Sequence, residues 1–445
     1  MKLKKGMRAL SLLLIMALLT AMLVPVVSAE SNKNLSDHIQ EKKKNPIINI
    51  EGISEIISDI PEKESLNIPE NFEKYELLTL DIQKMRNELA NGRMVPICID
   101  GVFYKMNLSE IMVNAPDVKS QTLSYTGHLE NSNKSEVVLT ISERVLIARI
   151  NVNGIDYVIE SIPHKEKSGK VIHYAHRSSD VKEEGEYLSG TDDYLAHKEY
   201  SAEELKIREI EAKTEEEEMA VRSEVAVRIR IFTDDQWISD EPDWQAKAQD
   251  IIAELNNQFQ RSDIQVHFYA HYDTSKASAL SGDINHISRP FQSIMDQVSI
   301  TYLNSNHEDL ALYLGGYDST YNAVGATYGY DSPYPDQRRY AWVQMKDDPS
   351  LYDGEHEDRT KVTIHEIGHL FDADHQPGQQ GPGQESYNRA YQWTEQGTTK
   401  QTALWAPFLK SNTYEISSND YNGDYYHNNA LRIYQTRNVI ASYVW

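Results

Sequence analysis

His365, Glu366, His369 and His375 are the residues whose types and spacing point to chemistry. They fall in one run, His365-Glu366-Ile367-Gly368-His369-Leu370-Phe371-Asp372-Ala373-Asp374-His375. On a helix of about 3.6 residues per turn, His365 and His369 stand one above the other on one face. Two imidazoles so placed can hold one Zn²⁺. Glu366, beside the first histidine, can take a proton from a water at the metal without binding the metal itself. Ile364, Ile367, Leu370 and Phe371 supply the apolar stripe that such a helix buries.

A hydrolytic zinc site takes three protein ligands and keeps a fourth position open. His375 is the candidate third ligand. A straight helix would carry it roughly 80° away from His365 and about 15 Å further on, so the chain must turn sharply between Leu370 and His375. The expected turn is at Asp372, because Asp is one of the few non-glycine residues that visit the left-handed region. On that reading Asp372→Gly is neutral or slightly stabilising. Alternatives stay open. Asp374 could act as an oxygen ligand, or Glu385 or Glu395 could serve as a distal carboxylate ligand. Cys98, the single cysteine, is either a buried core residue or a thiolate that reaches the metal; alone it forms no intrachain disulfide. His356, in an acidic, turn-like run, reads as a surface residue, and His427 lies outside the motif.

The run resembles the extended HExxHxxGxxH motif of the metzincin zinc peptidases, with Asp372 at the family's Gly. The resemblance implies one catalytic zinc on His365, His369 and His375, Glu366 as general base, and a peptide or protein substrate. Metzincins also carry a Met in a tight turn below the zinc. No Met follows Met345, and the best match is Thr402-Ala403-Leu404-Trp405, with Leu404 at the Met position. Asn422-Gly423, Asn428 to Arg432 and Ile440 to Tyr443 resemble the closing turn and terminal helix of bacterial reprolysin-like enzymes.

The elements around the motif alternate. Val225 to Phe232 reads as a strand, Trp244 to Phe259 as a helix, Ile264 to Ala270 as a strand. Ile284 to Leu303 reads as one helix with a break near Pro290, and Leu310 to Leu314 as a third strand. This order implies a largely parallel sheet. The resemblance makes Val324 to Tyr330 its antiparallel edge strand, which in metzincins pairs with an extended substrate. Asp358 or Thr360 is the expected cap of the zinc helix. The fold class is therefore α/β (α+β): a metzincin-like catalytic domain over 224–445, with a mostly parallel sheet and an antiparallel edge strand.

Upstream, Val95 to Ile99 and Val102 to Tyr104 flank Asp100-Gly101, and Asn153-Gly154 is a second hairpin signal. Residues 75–199 read as a mostly antiparallel β domain. Thr126 to Glu130, Val137 to Ile141, Gly154 to Glu160 and Val171 to Tyr174 resemble the pro-domain of reprolysin-like (adamalysin) metzincins. Residues 200–223 read as an acidic linker containing Glu215-Glu216-Glu217-Glu218, a plausible cleavage zone. Residues 30–74 read as a polar leader with little structure. Residues 1–29 read as a secretory signal: a Lys- and Arg-bearing start, an apolar run from Leu10 to Val24, and Val27-Ser28-Ala29 before the cut. An uncleaved membrane anchor is the rival.

The chain has 445 residues, 40% hydrophobic, with a net charge of −24. That size supports two or three domains. The acidic balance argues against nucleic acid. The reading is a secreted or cell-surface zinc endopeptidase made as a zymogen. The alternative is a catalytically inactive surface or adhesion protein that keeps the fold.

Overall fold

The computed structural model describes residues 45–444 apart from 58–65, 67, 69–71, 133, 166–168, 182–200, 202, 205, 208–222, 285–289, 317–323, 331, 346–355, 377–386, 396, 407–411 and 420–421. The signal segment, most of the acidic linker and Glu385 lie outside the described residues.

The N-terminal half is one ten-stranded antiparallel sheet. Its elements are β1 (Ile48–Ile50), β2 (Ser54–Ile56), β3 (Glu76–Leu80), α1 (Ile82–Ala90), β4 (Val95–Ile99), β5 (Val102–Ile111), β6 (Leu123–Leu129), β7 (Ser135–Ile141), β8 (Leu146–Val152), β9 (Ile155–Lys165) and β10 (Val171–Arg177). The order is β1-β4-β5-β6-β7-β8-β9-β10-β3-β2. Both hairpin signals act as expected: Asp100 and Gly101 take φ 50° and 84°, Asn153 and Gly154 φ 53° and 84°. Positive φ at both central residues is what a type I′ turn requires. The polar leader is not structureless throughout, because β1 and β2 fall within it. Their apolar residues explain the difference: Ile48 and Ile50 are buried in the core of this sheet. Cys98 is buried and unpaired with any other cysteine, the core role expected of it.

The C-terminal half carries β11 (Val225–Thr233), α2 (Asp235–Asp240), α3 (Trp244–Arg261), β12 (Val266–Asp273), α4 (Ala277–Ile284), α5 (Pro290–Gln297), α6 (Ile300–Ser305), β13 (Leu310–Gly315), β14 (Gly325–Thr327), β15 (Tyr340–Gln344), α7 (His356–Leu370), the hairpin β16 (Gln392–Glu395) and β17 (Thr398–Gln401), and α8 (Asn429–Ile440). Its main sheet has the order β12-β11-β13-β15-β14. All neighbours are parallel except β14, which runs antiparallel to β15 at the edge.

Alternation along these strands sorts the core into two layers. Val227, Ile229, Leu312 and Val343 face a cluster shared with α3, α7 and α8. Phe232, Tyr313, Tyr340 and Trp342 face a second cluster with Leu280, Ile294 and Leu303. The sheet is thus covered on both faces, as parallel strands require. The helix expected over 284–303 is interrupted at Val298 and Ser299, between α5 and α6, while residues 285–289 lie outside the described residues. Ser299 caps α6 by accepting from the Tyr302 N–H at 3.2 Å. This local capping signal overrides the continuous apolar spacing.

Candidate metal centre

Helix α7 carries the motif. Its described span runs from His356 to Leu370, so Asp358 and Thr360 lie inside it and neither is the cap; the Thr360 hydroxyl donates back to the His356 carbonyl at 2.8 Å. All fifteen of its residues are buried, charged ones included. His356 is accordingly no surface residue. Its Nε2 bonds Asp250 Oδ2 at 2.9 Å, a partner on α3 that no local spacing reveals. Burial opposes the charge on Lys361, but Glu357 and Asp358 outweigh it and hold the ammonium's pKa above its ordinary value.

The helix ends where the third histidine needs it to end. The Asp372 N–H donates to the His369 carbonyl at 3.0 Å and the Ala373 N–H to the Gly368 carbonyl at 3.0 Å. This paired closure is a Schellman motif, with Asp372 as its left-handed residue at φ 69°. The turn expected from the motif is therefore at position 372. What the spacing did not reveal is the Asp372 carboxylate. It is fully buried and paired with Arg432 of α8, whose Nε donates at 2.6 Å. Asp372→Gly would remove that partner, so the expectation of a neutral change does not stand.

The redirected chain is pinned on both sides. Asn388 Nδ2 donates to the Asp372 carbonyl at 2.6 Å, and Asn429 Nδ2 donates to the Asp374 carbonyl at 3.1 Å. The Asp374 carboxylate accepts from its neighbour's backbone, the His375 N–H, at 2.8 Å and pairs with Arg389. It is committed to holding the turn and does not join the histidines. Glu395 sits on β16 with Lys400 at 3.1 Å, His427 bonds Asp424 at 2.8 Å, and neither belongs to the cluster.

The three histidines converge. Their Nε2 atoms lie 3.0 Å (365 to 369), 3.0 Å (369 to 375) and 3.1 Å (365 to 375) apart, all buried. The first of these, between His365 and His369, is not a hydrogen bond between neutral rings. His365 Nδ1 lies 2.7 Å from the Ala403 carbonyl, and His369 Nδ1 lies 2.7 Å from the Ala373 carbonyl. A carbonyl oxygen only accepts, so each Nδ1 carries the proton and each neutral ring turns a lone pair on Nε2 toward the other. Lone pairs gathered at 3.0 Å repel unless a cation lies among them. The donor set and the tautomers therefore fit a zinc ion, with backbone carbonyls orienting the rings.

Two small residues make the room. A Cβ on Gly368 would sit 3.1 Å from both methyls of Leu404, which is fully buried beneath the helix. Leu404 belongs to the turn closed by the Trp405 N–H on the Thr402 carbonyl at 3.0 Å, and its neighbour Ala403 orients His365. A Cβ on Gly325, in edge strand β14, would lie 2.7 Å from Glu366 Oε1 and 2.8 Å from Val362 Cγ1. Glu366 is buried, its side chain running against the edge strand. Asn388 escaped sequence reasoning, and for Gly325, Ala403, Asn429 and Arg432 the matched segments were recognised but the roles of these side chains and backbones were not. Each acts through a contact distant in sequence, which no local spacing reveals.

Residues 223–426 match the sequence profile of Metallo-peptidase family M12. A search of curated proteins returned no match. Among solved structures, "Crystal Structure of metalloproteinase-II from Bacteroides fragilis" shares 12% identity at a TM-score of 0.41, covering 77% of this chain and 94% of that one. "Structure of a chaperone-substrate complex" shares 12% identity at a TM-score of 0.33, covering 50% of this chain and 39% of that one. The present chain thus spans well under half of that second protein.

Proposed function

From the match of residues 223–426 to Metallo-peptidase family M12, we propose that the protein is a secreted, zinc-dependent endopeptidase made as a zymogen. The observation that carries the reading is the meeting of the His365, His369 and His375 Nε2 atoms at 3.0–3.1 Å, with Glu366 on the same helix. Bound there, zinc supplies Lewis acidity, polarising a carbonyl and making a water acidic near neutral pH. Glu366 takes the proton of the attacking water and passes it to the leaving amine. Strand β14 ends the sheet order, and its outer edge offers backbone N–H and C=O groups to an extended substrate. The N-terminal signal supports export, and the acidic connection supports processing there. The inactive adhesion reading has less behind it: Glu366 is retained, Leu404 fills the floor under the helix, and Asp372 makes the turn.

The test is hydrolysis of mixed peptides by the purified chain after processing. A zinc chelator abolishes cleavage and added zinc restores it. Cleavage that survives complete metal removal would overturn the reading, as would its absence from the metal-loaded, processed protein.

A second outcome follows from Gly325. Gly325→Ala pushes a methyl against the Glu366 carboxylate and the Val362 side chain, so either the carboxylate or the helix must shift. A displacement of this order at a catalytic group costs roughly 10²-fold. The variant is expected to keep its metal, lose kcat more than KM, and change the pH profile of kcat. An unchanged profile with an unchanged kcat would show that the strand simply moves aside.

A further inference from the structure

We propose that the N-terminal β domain is a permanent partner of the peptidase domain: cutting the connection between Val181 and Ser223 leaves a two-chain complex, not a free peptidase and a discarded fragment. The inference narrows the zymogen reading above, but its docking argument does not depend on catalysis.

The first observation is a sheet edge. β12 is the outermost strand on its side of the peptidase sheet. Its edge is met by the segment after β5: the Ala270 N–H donates to the Val113 carbonyl at 2.8 Å, and the Ala115 N–H donates to the Ala270 carbonyl at 3.0 Å. Asn114 and Ala270 form a parallel bridge. Losing the N-terminal domain would bare that edge, a template for wrong pairing.

The second is the core. Val113 and Val138 of the N-terminal half are fully buried members of the peptidase's own apolar cluster. Val145, Ile147 and Val171 form another small cluster with Ala246 of α3. Apolar surface shared in this way favours keeping the two halves together.

The third is helix α3, which is buried on every side from Ala248 to Phe259. Its polar face looks in sequence like a solvent face, yet the N-terminal sheet covers it. Gln249 Nε2 donates to the Thr122 carbonyl and Ser124 Oγ, both at 3.1 Å. Gln258 Nε2 donates to Glu136 at 3.0 Å. Glu254 takes a two-pronged pair from Arg149 of β8 at 2.8 and 2.9 Å, and the Arg149 guanidinium also lies 4.3 Å over the Tyr414 ring. Such ion pairs regain water when the halves part, so they add little net attraction. They select one register instead, because any slipped docking would strand buried charges. Further along, the Glu357 N–H donates to Glu160 Oε1 at 3.3 Å, so the same sheet also touches the first turn of the histidine-bearing helix.

The experiment uses the full chain carrying Glu366→Gln, so that self-cleavage plays no part, with a site for a sequence-specific protease placed in the connection. After cutting, the two fragments are expected to elute together at the volume of the intact chain, with the Ala270 amide still protected from hydrogen exchange. Separate elution overturns the proposal. So does co-elution with rapid exchange at Ala270, which would mean that the fragments cling without this interface. Because no hydrolysis is read, a failed peptidase assay and a failed docking result remain distinct outcomes.

Discussion

Glu366→Gln is expected to keep the metal and lose hydrolysis by about 10²–10⁴-fold, or about 3–5 kcal/mol of barrier. The amide matches the carboxylate in size, so the tight fit against Gly325 and Val362 survives. It cannot accept the proton of the attacking water, and so has none to pass to the leaving amine. The three Nε2 donors, oriented by the Ala403 and Ala373 carbonyls or by the turn at Asp372, are untouched. Steady-state kinetics with metal analysis of the same sample therefore separates base from ligand. A wild-type rate in the variant would end the general-base assignment. A loss of metal together with activity would mean that Glu366 holds the site in shape.

The parts of this molecule legible in its sequence are those written in local spacing. His365 and His369 are four apart on a helix, and that spacing alone puts them on one face. The Asp100-Gly101 and Asn153-Gly154 turns are two-residue signals with their own backbone requirement, and both hairpins form where expected. Strands β11 and β13 and helix α3 follow apolar periodicity to within a few residues. What escaped depends on partners far along the chain. His356 reads as surface because charge normally faces water, and the polar residues of α3 draw no reading at all. Here Asp250, Arg149 and Glu136 meet them from 105 to 122 residues away. One sequence carries no trace of such pairings, so an interface built from polar residues reads as two solvated faces. The short strands β1 and β2 were missed for a related reason. Three residues show no period, and only their pairing with β4 and β3 makes them strands.

Asp372 shows how that blind spot changes an energetic expectation. Judged by its backbone alone, Asp372→Gly relieves a left-handed residue at φ 69° and should gain about 1 kcal/mol. Judged by its side chain, the change deletes one partner of a buried ion pair. Asp372 is fully buried, and the Arg432 side chain is only 9% exposed. Removing one member of such a pair typically costs about 3–5 kcal/mol, because the remaining charge stays buried. The larger effect wins, and the net expectation for Asp372→Gly is a loss of about 2–4 kcal/mol, measured by urea unfolding of the metal-free chain. Asp372→Asn tolerates the same backbone and keeps an oxygen for Arg432, so it should lose less. Adding Arg432→Met to Asp372→Gly removes the stranded charge and should recover most of the loss, as replacement of whole buried pairs often does. If Asp372→Gly alone is as stable as wild type, backbone relief governs this turn and the ion pair contributes nothing to it. If the double variant is no better than the single, the cost lies in the loosened path from Asp372 to His375 and not in the charge left on Arg432.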